Sequence, residues 1–258
     1  MQAAFEEKPV DIEQLVSADG WELGNVPSSF IQYQLCETAV QQNGLALFHV
    51  PPEHLNKNLC QLAVEQDGRA SQFVPDRFLD VDMVIVALRQ NGLALKWFQA
   101  PERKKFLSRN AYITAVRSKG LALQYVPVES HHPKLLEAAL INSGRALKFI
   151  PYKKREYHHC MIAVSMDGAA LEFVPEQLVN EHMCVIALRH SGLNLQFVPK
   201  RFRNARIHKM AVEENGMALR FVREQQRTKD ICEAALENDP KAVQHLPNPD
   251  HVRHCYAM

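Results

Sequence analysis

Glycine recurs every 24 residues along almost the whole chain. Nine of its ten glycines occupy this one position, usually behind Asn or Asp. They are Gly20, Gly44, Gly68, Gly92, Gly120, Gly144, Gly168, Gly192 and Gly216, with one longer step after Gly92. A fixed period of roughly 20–50 residues is typical of solenoids, in which each repeat packs only on its neighbours. The chain is therefore expected to grow by stacking repeats and not by enlarging one core.

Each repeat begins with a helical pattern of apolar residues. Ala stands five positions before the glycine in nine repeats, and Val or Leu follows it. Mostly apolar residues lie three and four positions before the Ala, as Met83 and Val84 do before Ala87. This spacing places them on one face of an α-helix. The small Ala predicts a close approach between neighbouring helices, and the glycine is expected to end the helix in the left-handed conformation.

A second pattern, Ala-Leu-x-aromatic-Val-Pro, follows the glycine, as in Ala146 to Pro151. Its spacing predicts a second helix of about two turns that buries the aromatic side chain and ends before the proline. We therefore predict an all-α solenoid of about ten helical hairpins. The expected organisation is a single elongated repeat domain over 1–258. Its parts are a degenerate cap (1–27), regular repeats (28–247) with a four-residue insertion within 99–110, and a C-terminal tail (248–258).

The motif Ala-x3-Asn/Asp-Gly-x-Ala-Leu runs from Ala39 to Leu47 and recurs as far as Ala211 to Leu219. It resembles a tandem helical repeat of bacterial and protist proteins that is catalogued only as a domain-of-unknown-function family. That family includes proteins that intracellular bacterial pathogens deliver into host cells, so the resemblance implies a host-directed binding role. It implies no catalytic residue. The chain is also similar to the 24-residue leucine-rich variant solenoid, which alternates α-helices with 3₁₀ helices.

The formal charge of +1 conceals an asymmetry along the chain. Residues 1–100 carry 6 Lys and Arg against 13 Asp and Glu, and residues 101–258 carry 24 against 16. The sequence therefore predicts an acidic end and a basic end. Such asymmetry bears on binding partners more than on fold.

Basic residues follow the second helical pattern in several repeats. Lys105, Arg155, Arg203 and Arg227 fall in one column counted from the proline position, so they are expected to line one edge. We interpret this edge as a candidate surface for an acidic protein, with a solvated loop edge as the alternative. An anionic membrane is a second partner class, and nucleic acid is disfavoured because the chain is nearly neutral. The complete candidate set is Arg103, Lys104, Lys105, Arg109, Lys153, Arg155, Arg201, Arg203 and Arg227.

Five of the six cysteines share one column, eight positions before the glycine. They are Cys36, Cys60, Cys160, Cys184 and Cys232. Equivalent positions on packed helices lie about 8–10 Å apart, which is too far for a disulfide. These cysteines are therefore predicted to be buried and structural.

The best metal candidate is His158-His159-Cys160 together with His182 and Cys184. Adjacent residues on a helix point about 100° apart, so this set does not suit one ion. The sequence also lacks Gly-x-Ser-x-Gly, a phosphate-binding glycine loop and His-Glu-x-x-His. We predict no metal, no cofactor and no catalytic residue.

The last four residues, beginning with Cys255, satisfy a prenylation pattern. Cys255 is thus a candidate lipidation site, and a membrane-associated protein is an alternative function. No stretch approaches the roughly 20 apolar residues that span a bilayer, and the first residues lack an apolar signal segment. The expected location is the cytoplasm, or a host cell after delivery.

Overall fold

In most repeats a ten-residue α-helix is followed by a six-residue 3₁₀ helix. A computed structural model of the chain describes residues 11–246. Its α-helices are α1 (Ile12–Ala18), α2 (Tyr33–Gln42), α3 (Lys57–Gln66), α4 (Val81–Gln90), α5 (Pro101–Lys104), α6 (Arg109–Ser118), α7 (Pro133–Asn142), α8 (Tyr157–Met166), α9 (Glu181–His190), α10 (Ala205–Glu214) and α11 (Lys229–Asn238). Residues 11–246 contain no β-strand, and the all-α prediction is confirmed.

A 3₁₀ helix begins at the glycine position of each repeat. These helices are Gly20–Asn25, Gly44–His49, Gly68–Gln72, Gly92–Phe98, Gly120–Tyr125, Gly144–Phe149, Gly168–Phe173, Gly192–Phe197, Gly216–Phe221 and Pro240–His245. Shorter 3₁₀ helices lie at Ser28–Phe30, Asp76–Phe78, Val128–Ser130, Tyr152–Lys154, Glu176–Leu178, Lys200–Phe202 and Glu224–Gln226. The alternation of α with 3₁₀ helix is the one noted for the leucine-rich variant solenoid.

The 3₁₀ geometry decides which side chains of the second pattern are buried. Residues three apart in a 3₁₀ helix lie above one another. Leu47 and Val50 form the buried row in the second repeat, whereas Leu45 and Phe48 lie toward solvent. The aromatic side chains that stand five positions after the glycine are half-buried, so the prediction that they belong to the core was wrong. They are Phe73, Trp97, Tyr125, Phe149, Phe173, Phe197 and Phe221.

The residue before the glycine both ends the α-helix and begins the 3₁₀ helix. Asn43 has extended backbone angles, and its Oδ1 accepts a hydrogen bond from the Leu45 amide at 3.0 Å. It therefore acts as an N-cap. No glycine among residues 11–246 has a positive φ, so the predicted left-handed helix end was wrong.

The glycine is required because two backbones meet there. A Cβ added to Gly44 would lie 2.4 Å from the carbonyl oxygen of Ala63, in the helix of the next repeat. Ala63 itself is completely buried. The recurring Ala and Gly thus allow the close approach of neighbouring repeats that the Ala column predicts.

Polar side chains two positions before the glycine join successive repeats. Gln66 accepts a hydrogen bond from the Gly44 amide at 2.7 Å and donates one to the Gln42 carbonyl at 3.1 Å. Asn238 similarly bonds the Gly216 amide, and it donates to the carbonyl of Glu213, which lies one position earlier in its repeat than Gln42 does. These bonds satisfy backbone groups that the ends of the helices leave unpaired.

The chain divides into two compact units, Met1–Tyr125 and Val126–Met258. In the first unit, α2, α3, α4 and α6 pack on one another in chain order, and α7 to α11 do so in the second. The predicted insertion contains the short helix α5. The single repeat domain predicted over 1–258 stays a prediction. No helix within residues 11–246 has the length and apolar character needed to cross a membrane.

Candidate functional site: a groove across three repeats

A groove of about 800 Å³ crosses three consecutive repeats of the second unit. It lies along the 3₁₀ helices Gly144–Phe149, Gly168–Phe173 and Gly192–Phe197, and the last residues of α7, α8 and α9 complete its wall. Its volume falls within the range of known ligand sites, roughly 300–1,000 Å³. Because each of the three repeats contributes part of the lining, the groove suits an extended ligand.

Exposed apolar side chains line one part of this groove. Ile141 is 60% exposed and Met166 is 48% exposed, and the half-buried rings of Phe173 and Phe197 also line the groove. Exposed apolar side chains that share one groove are candidate contacts for a partner. Sequence reasoning missed Ile141 and Met166. A signal was present in the sequence. Ile141 stands three positions and Met166 two positions before the glycine of its repeat, and other repeats have polar residues at both positions, such as Gln41-Gln42 and Arg89-Gln90.

Charges of both signs border the apolar surface. Arg145 Nε lies 2.8 Å from Asp167 Oδ2, and both side chains are partly exposed. Lys148 Nζ lies 4.8 Å from the centre of the Phe149 ring, a cation–π contact. Glu172 is exposed on the next 3₁₀ helix. An exposed ion pair contributes little stability, so these groups remain available to a partner with complementary charges.

Three of the predicted partner-binding arginines are bonded to the backbone of their own fold. Arg155 donates hydrogen bonds to the carbonyls of Ile150 (2.8 Å) and Lys148 (3.1 Å), and to Phe173 of the next repeat (2.5 Å). Arg203 donates equivalent bonds to Val198, Gln196 and Phe221. Arg227 donates to Val222 and His245.

These three residues, Arg155, Arg203 and Arg227, are called staple arginines below. Burial lowers the pKa of the Arg155 and Arg203 guanidinium groups. Each of these three guanidinium groups joins the ends of two successive 3₁₀ helices. That the whole column, with Lys105, lines one edge stays a prediction. This geometry assigns the staple arginines to packing between repeats.

Two other predicted arginines also bind within the fold. Arg103 donates to Asp76 Oδ1 at 2.7 Å and to the carbonyl oxygens of Ser71 and Val74, and its side chain is only 15% exposed. Arg201 pairs with a carboxylate oxygen of Glu176 at 3.2 Å. Arg103 therefore does not project from the insertion, because α5 carries it back onto an earlier repeat.

The predicted residues that remain exposed are mostly lysines. Lys104 is the last residue of α5, Lys153 is the middle residue of the 3₁₀ helix Tyr152–Lys154, and both face solvent. Lys105 is exposed with its Nζ 5.0 Å from the centre of the Phe106 ring. Arg109 is exposed at the start of α6. The structure thus distinguishes the arginines bonded to the fold, which are Arg103, Arg155, Arg201, Arg203 and Arg227, from the surface lysines Lys104, Lys105 and Lys153.

The candidate metal residues have separate partners. The His159 ring is buried, and its Nδ1 accepts a hydrogen bond from the Glu156 amide at 3.3 Å. His158 Nε2 lies 3.4 Å from Glu137 Oε1. Burial raises the pKa of the Cys160 and Cys184 thiols to about 11. Within the part of the chain that the structure describes, no three His, Cys, Asp or Glu side chains come together as metal ligands.

The predicted lipidation site, Cys255, lies outside the described residues.

Residues 56–99 match the family model described as Domain of unknown function (DUF4116). This stretch extends from the start of α3 to the end of the 3₁₀ helix Gly92–Phe98 and so covers two α-plus-3₁₀ repeats. The predicted relation to a domain-of-unknown-function family is confirmed for these residues. No curated protein and no solved structure matches the chain.

Proposed function

We propose that this protein is a non-enzymatic scaffold of helical repeats that binds a segment of another protein in the groove of its second unit. The observation that carries this proposal is the pair of exposed apolar side chains, Ile141 and Met166, at the wall of a groove shared by three repeats. Apolar anchors surrounded by polar groups are the usual composition of a protein-binding surface.

The dimensions of the groove favour an extended polypeptide. Helices in packed repeats lie about 8–10 Å apart, so three repeats cover about 16–20 Å. An extended chain advances about 3.3 Å per residue, and five or six residues would therefore fill the groove. Its apolar side chains would contact Ile141, Met166 and the two phenylalanine rings, Phe173 and Phe197.

The charge that borders the second unit favours an acidic partner. Lys153 and Lys154 are exposed on the short 3₁₀ helix that follows the first repeat of the groove, and Lys200 is exposed on the one that follows the third. These side chains form the basic edge in this proposal, and the staple arginines are excluded from it. Complementary charge increases the association rate and the specificity of an interface.

A role directed at a host protein belongs to the same proposal. It is supported by the resemblance of the repeat motif to a family that includes delivered bacterial proteins. Membrane association through Cys255 stays an alternative predicted from the sequence, and binding of nucleic acid stays a disfavoured one.

Site-specific photo-crosslinking in a eukaryotic cell lysate tests the groove. A benzophenone amino acid placed at Ile141 or Met166 should form covalent adducts with one set of proteins, identified by mass spectrometry. Both positions are exposed, so the fold should tolerate the change. The matched control positions are Lys134 and Lys209, which are exposed on α7 and α10 outside the groove.

Substitution completes the test. With the crosslinker at Met166, Ile141→Asp should abolish the adducts because a carboxylate cannot replace an apolar anchor, whereas Lys134→Glu should leave them unchanged. The proposal fails if the groove and control positions yield the same proteins, or if Ile141→Asp leaves the adducts intact.

A further inference from the structure

Four residues near the start of the chain depart from the repeat pattern, and the structure brings them together. Trp21 stands one position after the glycine, where Leu93 and Leu193 stand in other repeats. Phe48 stands four positions after the glycine, where most repeats have a polar residue. His49 stands at the next position, where most repeats have an aromatic residue. Gly24 is the one glycine outside the 24-residue period.

The rings of Trp21, Phe48 and His49 form a feature that we call the aromatic box. Trp21 and Phe48 are its two walls, and His49 is its floor. The rings of Trp21 and Phe48 are parallel to within 10°, and their centres lie 6.5 Å apart. The His49 ring is nearly perpendicular to both, at 82° and 76°, with its centre 4.5 Å from Trp21 and 5.0 Å from Phe48. Trp21 is 43% exposed and Phe48 is 61% exposed, so the box is open to solvent.

The surrounding repeats hold these rings in place. A Cβ on Gly24 would lie 2.6 Å from the His49 ring, so a glycine is needed for the floor to fit. The Phe73 ring of the third repeat contacts Phe48, with the ring centres 5.1 Å apart. Trp21 and Phe48 occupy the solvent-facing row of neighbouring 3₁₀ helices. The box is therefore part of the repeat packing and is not a chance contact of loose side chains.

The geometry and the charge of the box favour a flat cation. Aromatic faces attract cations, and a planar group in contact with two parallel faces needs about 7 Å between them. The ring centres lie 6.5 Å apart, and this is the upper limit of the distance between the two planes. The exposed rings must therefore move slightly apart to admit a planar group, and a tetrahedral ammonium group is thicker still. The carboxylates of Asp19 and Glu22 lie on the same turn as Trp21 and hydrogen-bond its amide and Asn25, respectively.

We propose that the aromatic box binds the guanidinium group of an arginine side chain on a partner polypeptide. Guanidinium is planar and stacks readily on aromatic rings. The excess of acidic residues over 1–100, 13 against 6, attracts an arginine-bearing partner and repels phosphates, which disfavours a nucleotide base as the stacked group. This site lies in the first unit and is independent of the groove in the second.

Nuclear magnetic resonance of the full-length chain tests the proposal with a Gly-Gly-Arg-Gly-Gly peptide as the probe. The chain has two tryptophans, so two indole N–H signals are expected, and Trp97→Phe assigns them. The peptide should shift the Trp21 signal. The Trp97 signal should not move, because Lys96 Nζ already covers that ring at 4.1 Å. A peptide with citrulline in place of arginine should bind about tenfold more weakly, because citrulline is neutral.

Variants identify the side chains involved. Phe48→Ala should weaken binding of the arginine peptide about tenfold, because one of the two stacking faces is lost. Phe30→Ala is the matched control, since Phe30 is 60% exposed in the same unit and lies outside the box. Phe30→Ala should keep the thermal stability of the parent. Phe48→Ala should lower it only slightly, because Phe48 contacts Phe73 but is 61% exposed.

Four results would overturn the proposal: no shift of the Trp21 signal, equal binding of the citrulline peptide, unchanged binding by Phe48→Ala, or a larger shift with adenosine monophosphate than with the arginine peptide.

Discussion

Gly192 lies so close to Ala211 of the next repeat that a Cβ on Gly192 would come within 1.9 Å of the Ala211 carbonyl oxygen. The φ angle of this glycine is not positive, so its backbone conformation is open to other residues. Glycine is required here by distance alone. The contact also explains why a glycine and an alanine recur together along the chain.

Gly192→Ala should therefore lower the free energy of unfolding by about 3 kcal/mol, as an overpacked contact does. Gly168→Ala should cost less, because its nearest neighbours, the Ala187 carbonyl oxygen and Asn194 Nδ2, are 2.7 Å away. Urea denaturation compares the two variants. An increase in stability for Gly192→Ala, the usual effect of restricting the unfolded chain, would show that the two backbones are not in contact.

Arg155→Met should destabilise the second unit by about 2–3 kcal/mol, because three carbonyl oxygens lose a charged donor. Lys153→Met is the control, since Lys153 is exposed two residues away and its loss should change stability by less than about 0.5 kcal/mol. Thermal unfolding gives both values. If the two substitutions had equal effects, Arg155 would belong to the exposed basic edge and not to the packing.

The stability of the second unit should fall at acidic pH in part because of His208. Its ring is 1% exposed, neither ring nitrogen has a hydrogen-bond partner, and burial together with the charge of Arg203 lowers its pKa. The unfolded chain therefore binds this proton more tightly than the folded chain does. The free energy of unfolding has its full value above the pKa of histidine in the unfolded chain, about 6.5. It decreases as the pH falls below that value, by at most about 1.4 kcal/mol per pH unit.

His208→Cys supplies the comparison, because cysteine fills this column in the adjoining repeats at Cys184 and Cys232. Denaturant titrations of both proteins between pH 7.5 and pH 5 should show a shallower loss of stability in the variant. Identical slopes would mean that His208 is protonated equally easily in the folded and unfolded states.

The buried cysteines should be unreactive in the folded protein. Burial raises the pKa of Cys36, Cys60, Cys160 and Cys184 to about 11, and thiolate is the reactive form. In a Cys255→Ser variant at pH 8, iodoacetamide should modify the half-buried Cys232 first. Mass spectrometry of the digested protein reads out each site. Fast labelling of Cys160 or Cys184 would show that these side chains are not buried.

Much of the fold follows from the sequence because its repeat signals are local. The position of an α-helix such as α4 follows from the spacing of its Ala and Leu residues and from the Asn91-Gly92 step at its end. These signals come from residues that are close together in the chain. The choice between α and 3₁₀ helix in the second segment is different. It depends on a register of hydrogen bonds over only six residues, which a spacing of apolar residues does not resolve.

The sequence by itself determined the period, the α-helices and the burial of four of the five cysteines in one column, since each depends on residues repeated in phase. Cys232, predicted to be buried with them, is only half-buried. Only the tertiary structure decided what the in-phase arginines do. The Arg155 guanidinium reaches the Phe173 carbonyl in the next repeat, and a column of charges along the sequence cannot show whether it faces inward or outward. The groove beside Ile141 and the aromatic box at Trp21 were likewise hidden, because each depends on distances between repeats. Sequence order sets which residues are equivalent, and packing sets which of them meet.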